Sequence, residues 1–288
     1  MTGTLLCPFY LRLVPVVHCK REEFDVYIGR PSRWGNPFSH QPETIARYRV
    51  KTRQEAIDAY RQHLWHKIRS GRIAMEDLAD LDQKTLGCWC TPKACHGEVL
   101  LEFAAWARDT LATRWGSPGQ PFWRPGPNHT VDCVITRREG QEILLIRRAN
   151  GKDTTEGGKL ALPGGFWETP AGRGEPWRPG LETAEEAAAR ELAEETGLKG
   201  SLIQLGLKHV GRFDTFGRDP RDNEKAWAVT DAFHFDLPDE VDHAVRGGDD
   251  AEEAMWVAVS SLDGLKLAFD HREIINQALG LPDSDPAP

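Results

Sequence analysis

The chain has 288 residues, enough for two domains at roughly 100–200 residues each. Hydrophobic residues make up 40% and charged residues 28%, as in soluble globular proteins, and no run reaches the roughly 18–20 apolar residues of a spanning helix, so no membrane-spanning helix is expected. Residues 1–117 carry 17 Lys+Arg against 13 Asp+Glu, whereas residues 118–288 carry 19 against 31. That acidic second half argues against nonspecific nucleic-acid binding and suits a site that gathers divalent cations.

The start is apolar in patches, but it lacks a basic n-region and is broken by Pro8 and Pro15. It reads as no signal peptide, and a cytoplasmic location is the default expectation. Short strands are expected at 14–17 and 25–28. A helix follows at 52–70, where Ala56, Ile57, Tyr60, Leu64 and Ile68 keep helical spacing and Thr52 with Glu55 forms a capping box. A strand at 85–89 and a helix at 97–113 complete a small α/β domain. Residues 116–126 hold Pro118, Pro121 and Pro125 among glycines, a composition that resists helix and sheet; the linker is placed at 116–125. The second domain, 126–288, should contain strands near 130–136, 142–147, 202–213, 226–236 and 254–259. Helices are expected at 183–196 and 270–279. This order predicts a mixed sheet with helices on both sides.

The helix at 183–196 carries the chemistry. Thr183 with Glu186 can cap it, and Gly197 can end it in the left-handed conformation. Glu191, Glu194 and Glu195 stand three and four residues apart, which puts their carboxylates on one face. Like charges there repel unless something positive sits among them, and a hard divalent cation with oxygen ligands answers that need. Arg190 can pair with one carboxylate and hold it. The competing reading is a solvated acidic face, which is favoured for Glu185 and Glu186.

The run Arg190-Glu191-Leu192-Ala193-Glu194-Glu195-Thr196-Gly197-Leu198 resembles the second part of the Nudix box at every fixed position, with seven residues between Glu182 and Arg190. Upstream, LPGGFWE resembles the strand and loop that enter the box. Gly165 and Glu182 are separated by sixteen residues where the family has five, so an expanded surface loop is expected around 170–180. The resemblance implies an α/β/α sandwich with a mixed sheet, and Mg²⁺ or Mn²⁺ on Glu191, Glu194 and Glu195. It also implies hydrolysis of a nucleoside diphosphate derivative, with a small-molecule nucleotide as the partner. GPNHTVDCVITR (126–137), DPRDNEKAW (219–227), GDDAEEAMWV (248–257) and LKLAFDH (265–271) further resemble the mitochondrial type of ADP-ribose pyrophosphatase. That points to ADP-ribose, with AMP and ribose 5-phosphate as products. The alternatives are NADH, a nucleotide sugar or a damaged nucleoside triphosphate as substrate, or a sensor that binds ADP-ribose.

Candidate site residues follow from the same segments. Asp219 and Arg221 can grip ribose or phosphate; their competing reading is a solvated turn. Trp227 can stack on adenine, or else pack in the core. Asp249, Asp250, Glu252 and Glu253 are expected on a loop near the site, with one of them, such as Glu252, orienting water. His129 is read as a polar core residue.

In the first domain, IGRPSRWGNPF (28–38) offers Arg30, Arg33 and Asn36 as anion holders or as parts of a tight structural loop. CWCTPKACHG (88–97) gathers Cys88, Cys90, Cys95 and His96, and His18 and Cys19 can join if strands pair suitably. Three readings stand open: a Zn²⁺ site, a thiol or nucleotide site, or buried inert cysteines. Against zinc, adjacent Cys95 and His96 are not expected to turn toward one ion. The two segments resemble a small domain family without an assigned role, over about residues 14–106.

Overall fold

The computed structural model describes residues 16–113, 122, 125–150, 155–168, 182–198, 206–238, 244–248 and 251–282. Most of the expected linker, the expanded loop at 170–180, Asp249 and Asp250 lie outside the described residues. The chain divides into two compact units, Met1–Thr113 and Arg114–Pro288.

The first unit is built on a parallel sheet in the order β1-β5-β2, with β1 (Val16–His18), β2 (Val26–Tyr27) and β5 (Leu86–Cys88). A second small ladder pairs β3 (Phe38–Ser39) with β4 (Tyr48–Arg49). The helices are α1 (Arg53–Arg69), α2 (Met75–Ala79) and α3 (His96–Leu111). The helix α1 starts where its cap dictates: Thr52 Oγ1 accepts the amide of Glu55 at 3.1 Å. The Glu55 carboxylate reaches back one residue further than a capping box does, to the amide of Lys51 at 2.7 Å. Ala56, Tyr60, Leu64 and Ile68 form its buried stripe.

In the second unit the main sheet runs β10-β11-β6-β7-β12, with β8 added on β7 and β9 on β6. The central strands are β6 (Gly126–Arg137) and β7 (Glu142–Arg148). Short strands β8 (Leu160–Ala161) and β9 (Gly164–Phe166) follow, then β10 (Lys208–Phe213), β11 (Ala226–Leu237) and β12 (Ala251–Ala258). β6 and β11 are parallel over twelve residues each, while β7 and β12 are antiparallel, so the sheet is mixed. The turn from β6 to β7 passes through left-handed Arg138, Glu139 and Gly140.

Alternation along the strands sets the layers. Val131, Cys133, Ile135, Leu144 and Ile146 face one way and pack with Ala187, Ala188 and Leu192 of α4 (Ala184–Thr196). Val134, Ile143 and Leu145 face the other way and pack with Ile274 and Ile275 of α5 (His271–Leu279). Successive residues of a strand point to opposite faces, so a sheet apolar on both faces needs a helix on each side. The result is an α/β/α sandwich, and the first unit is a smaller α/β fold. Among the described residues, no helix is long and apolar enough to cross a membrane.

Candidate active site

Helix α4 has both its expected ends. Thr183 and Glu186 exchange hydrogen bonds in a capping box, and Gly197 adopts φ 74 at the C-terminal end. Between them, Glu191 and Glu195 are buried at 8% and 1% exposure, while Glu194 is exposed. Buried carboxylates are costly unless charge or hydrogen bonds compensate them. Arg190 supplies much of this: its guanidinium donates to Glu182 at 2.8 and 3.1 Å, to Glu191 at 2.8 Å, to Glu194 at 3.2 Å and to the Phe166 carbonyl at 2.9 Å. Burial opposes the charge on Arg190, but the bonds to Glu182 and Glu191 outweigh it and raise its pKa above the ordinary arginine value.

The Gly164-Gly165 pair brings β9 against this helix. The Gly164 amide donates to Glu195 Oε2 at 2.8 Å. A Cβ on Gly164 would lie 2.0 Å from the Val131 carbonyl, and one on Gly165 would lie 2.5 Å from Glu191 Oε1. Only glycine permits that approach. The sixteen residues after Gly165 do not displace it from the helix, because Glu182 ties both ends of the insertion. Its Oε2 accepts the Glu168 amide at 2.7 Å while Arg190 holds the same carboxylate.

A pocket of about 130 Å³ opens beside the two glycines. Arg221 and Asp219 both line it. Asp219 is buried, and its carboxylate holds the Arg221 guanidinium through contacts of 2.6 to 3.1 Å. The guanidinium lies 5.5 Å from the Phe122 ring centre and 5.8 Å from those of Phe166 and Phe269. The turn is therefore not simply solvated; it is an aromatic-walled ion pair.

The pocket wall also includes Asp132 and His271, which belong to a polar network that sequence reasoning missed. Arg218 forms two 2.7 Å bonds to Asp270 and lies 3.5 Å from Asp132. His271 Nδ1 accepts the Leu162 amide at 2.8 Å, which leaves the proton on Nε2, 3.3 Å from Asp132 Oδ1. Burial lowers the His271 pKa despite Asp132 and Asp270. Arg218 is raised: burial opposes its charge, and Asp132 and Asp270 outweigh burial. Burial, then the charges of Asp132, Glu195 and Glu191, push the Cys133 thiol well up. Phe269, Asp270 and His271 sit inside LKLAFDH, so the segment was legible although its roles were not.

Trp227 could stack on adenine or pack in the core, and it packs in the core; the loop placement of Glu252 and Glu253 is corrected. Trp227 is 0% exposed within β11, leaving no open ring face for adenine; both faces of that strand are covered. Glu252 and Glu253 lie on strand β12 rather than on a loop. Glu252 sits at a register shift and accepts the Asn150 amide at 2.9 Å, while Glu253 lies 3.6 Å from Arg147. His129 is buried and accepts from Arg212 at 3.0 Å, as a polar core residue does.

The first unit holds a larger cavity of about 480 Å³, walled in part by Cys88, Cys90 and His96. The ligand atoms of Cys88, Cys90, Cys95 and His96 all lie within 4.8 Å of one another. This corrects the expectation that Cys95 and His96 diverge. Cys95 is the extended N-cap of α3 and His96 its first helical residue, so the backbone bends between them. His18 and Cys19 are not part of the group, although the Cys19 amide donates to the Cys88 carbonyl at 3.0 Å. Burial opposes a charged His96, but hydrogen bonding to Cys88 and Cys90 pushes it up to about 9. Cys90 is lowered by hydrogen bonds to Cys88, Cys95 and His96, while Cys95 is raised.

The expected anion loop is occupied with its own structure. Arg30 donates to the Asn36 and Phe38 carbonyls, Arg33 pairs with Asp77 at 2.7 Å, and Asn36 bonds the Phe38 amide and the Ala56 carbonyl. The loop is thus a tight structural one, and Arg30 and Asn36 also line the 480 Å³ cavity. The smaller pocket, in the second unit, is lined by Gly164 and Gly165, against which Glu195 and Glu191 of α4 lie.

An acidic helix seated on a Gly-Gly strand in a mixed α/β/α sandwich defines a class of nucleotide-diphosphate hydrolases. The comparisons agree: residues 126–278 match the NUDIX domain model, and residues 17–106 match a domain of unknown function, DUF4326. The chain belongs to the Nudix family and is a Nudix diphosphatase. It is 36% identical over 149 residues to an ADP-ribose pyrophosphatase of Methanocaldococcus jannaschii, covering 52% of this chain and 71% of that protein. It is also 34% identical over 89 residues to an uncharacterized 12.4 kDa protein of Enterobacteria phage T4, covering 31% and 75%. A solved MutT/nudix family protein from Listeria innocua is 36% identical, covering 53% of this chain and 92% of that one, with a TM-score of 0.40.

Proposed function

We propose that the second unit hydrolyses ADP-ribose to AMP and ribose 5-phosphate with Mg²⁺, or Mn²⁺ in its place. The observation that carries this reading is the set of three glutamates on one turn of α4, two of them buried against the Gly164-Gly165 strand. An oxygen-only, crowded, anionic donor set fits a hard divalent cation, and Glu191, Glu194 and Glu195 would hold it. Such a cation, when bound, neutralises diphosphate charge and activates water.

The protein's own groups do the positioning. Arg190 fixes the Glu191 and Glu194 carboxylates, and the Gly164 amide fixes Glu195. Arg221, steadied by Asp219 and three phenyl rings, presents a planar cation to an anionic or ribose part of the substrate. A pocket of about 130 Å³ takes one moiety of a dinucleotide-sized molecule, since pockets that engulf a whole ligand run about 300–1,000 Å³. The choice of ADP-ribose is supported by the relative of 36% identity, itself an ADP-ribose pyrophosphatase, together with the ordered segments around the box. Residues 1–113 act as a separate accessory module in this reading.

A panel of ADP-ribose, NADH, a nucleotide sugar and an oxidised nucleoside triphosphate, each with Mg²⁺, tests the substrate. The highest kcat/KM is expected for ADP-ribose. A higher value for another member would keep the chemistry and discard the substrate. Binding of ADP-ribose without any turnover would support the sensor reading instead.

A further inference from the structure

We propose that Cys88, Cys90, Cys95 and the Nδ1 atom of His96 form a zinc site in the first unit, closed by four protein ligands. The cluster belongs to the first unit, and Glu191, Glu194 and Glu195 to the second. The argument begins with geometry. In a tetrahedral site with Zn–S of about 2.3 Å and Zn–N of about 2.0–2.1 Å, ligand atoms stand roughly 3.5–3.8 Å apart. Here His96 Nδ1 lies 3.6 Å from Cys95 Sγ and 4.0 Å from Cys88 Sγ, and all four ligand atoms fall within 4.8 Å. A cation drawing them slightly inward closes the set without backbone rearrangement.

Orientation is the second observation. His96 Nε2 lies 3.0 Å from the Ile28 carbonyl oxygen, which can only accept. In the ligating ring the one remaining proton therefore sits on Nε2, and Nδ1, which faces the sulfurs, is the atom that gives up its proton to a metal. A metal-ligating histidine characteristically donates its other ring nitrogen to a carbonyl or carboxylate in this way. The backbone serves the same end. Cys88 closes strand β5, Cys90 follows in the turn, Cys95 caps α3 and His96 begins it, so one ion would clamp sheet to helix over nine residues.

Chemistry selects the metal. Three thiolates and one imidazole are soft and borderline donors in a tetrahedral arrangement, which suits Zn²⁺ better than the oxygen-seeking cation of the second unit. On binding, each cysteine that enters as a thiol releases one proton to solvent, and His96 releases its Nδ1 proton when it enters as the imidazolium. Four protein ligands leave no coordination position open, so the site is structural and fixes one wall of the 480 Å³ cavity.

The test uses the reduced full-length chain purified without chelator. Elemental analysis should give about one zinc per chain. Cobalt added to stripped protein should give the visible ligand-field bands of tetrahedral, thiolate-rich coordination. Cys90→Ser, at the half-buried position, should lose zinc, whereas Cys19→Ser, just outside the cluster, should keep it. Should Cys90→Ser fail to fold, the cobalt spectrum of the wild type carries the test alone. Reduced protein that takes up neither zinc nor cobalt would overturn the proposal. So would a native disulfide among Cys88, Cys90 and Cys95, or zinc retention by Cys90→Ser with loss in Cys19→Ser.

Discussion

Replacing Gly165 with alanine places a methyl carbon on the Glu191 carboxylate. The new Cβ would lie 2.5 Å from Oε1 and 2.6 Å from both Cδ and Oε2. An unstrained contact needs about 3.5 Å, so the carboxylate or the strand must move by roughly 1 Å. Glu191 cannot withdraw freely, because Arg190 holds Oε1 at 2.8 Å and the side chain is buried. A displacement of that size in a catalytic constellation costs about 100-fold in rate, equivalent to about 2.7 kcal/mol of transition-state stabilisation. Overpacking should also lower stability by about 1–3 kcal/mol, which urea unfolding measures separately. The assay is AMP release from ADP-ribose across a range of Mg²⁺ concentrations. Gly264→Ala is the control, since a Cβ there meets nothing within 4 Å. A folded Gly165→Ala protein with wild-type kcat/KM and Mg²⁺ dependence would refute the placement of Glu191 in the site.

Arg190→Ala should cut turnover by about 100-fold to 1,000-fold, because it frees Glu182, Glu191 and Glu194 together. Unchanged turnover in folded protein would show that the guanidinium positions nothing the reaction needs. Trp227→Ala should destabilise the second unit by about 3–5 kcal/mol in urea, while KM for ADP-ribose stays the same at temperatures where the variant is folded. The opposite pattern, intact stability with a raised KM, would restore the stacking role. His271 gives a pH signature. Its folded pKa is depressed by burial, so its contribution is fully present above its unfolded value of about 6.5 and is lost as pH falls from there toward the folded value. Unfolding free energy should therefore fall as pH drops below about 6.5, and His271→Gln should flatten that slope. Parallel slopes for variant and wild type would contradict it.

What could be read from the sequence was local. Helix α4 was legible because its period, its Thr183 cap and its Gly197 stop all pointed the same way. Its carboxylates stood out because like charges at that spacing call for a partner. The strands β8 and β9 have two and three residues, too short for a period to show, although LPGGFWE marked the spot. Trp227 was ambiguous because both faces of β11 are covered, so alternation gives no hint of which side meets a ligand. The Asp132, Arg218, Asp270 and His271 network joins β6, a turn and the start of α5, and no spacing along the chain announces a set assembled by folding. Cys95 and His96 misled in the opposite direction. Their adjacency predicted divergence, and the helix start between them turned both toward Cys88.

The most direct test of the central claim is AMP release from ADP-ribose by wild type and Glu195→Gln at saturating Mg²⁺. The substitution keeps the side chain's shape and an oxygen able to accept the Gly164 amide, now bonded at 2.8 Å, but removes the charge. Rapid release by the wild type and near-complete loss in a variant of matching stability are predicted. Equal turnover by the two proteins would contradict the account.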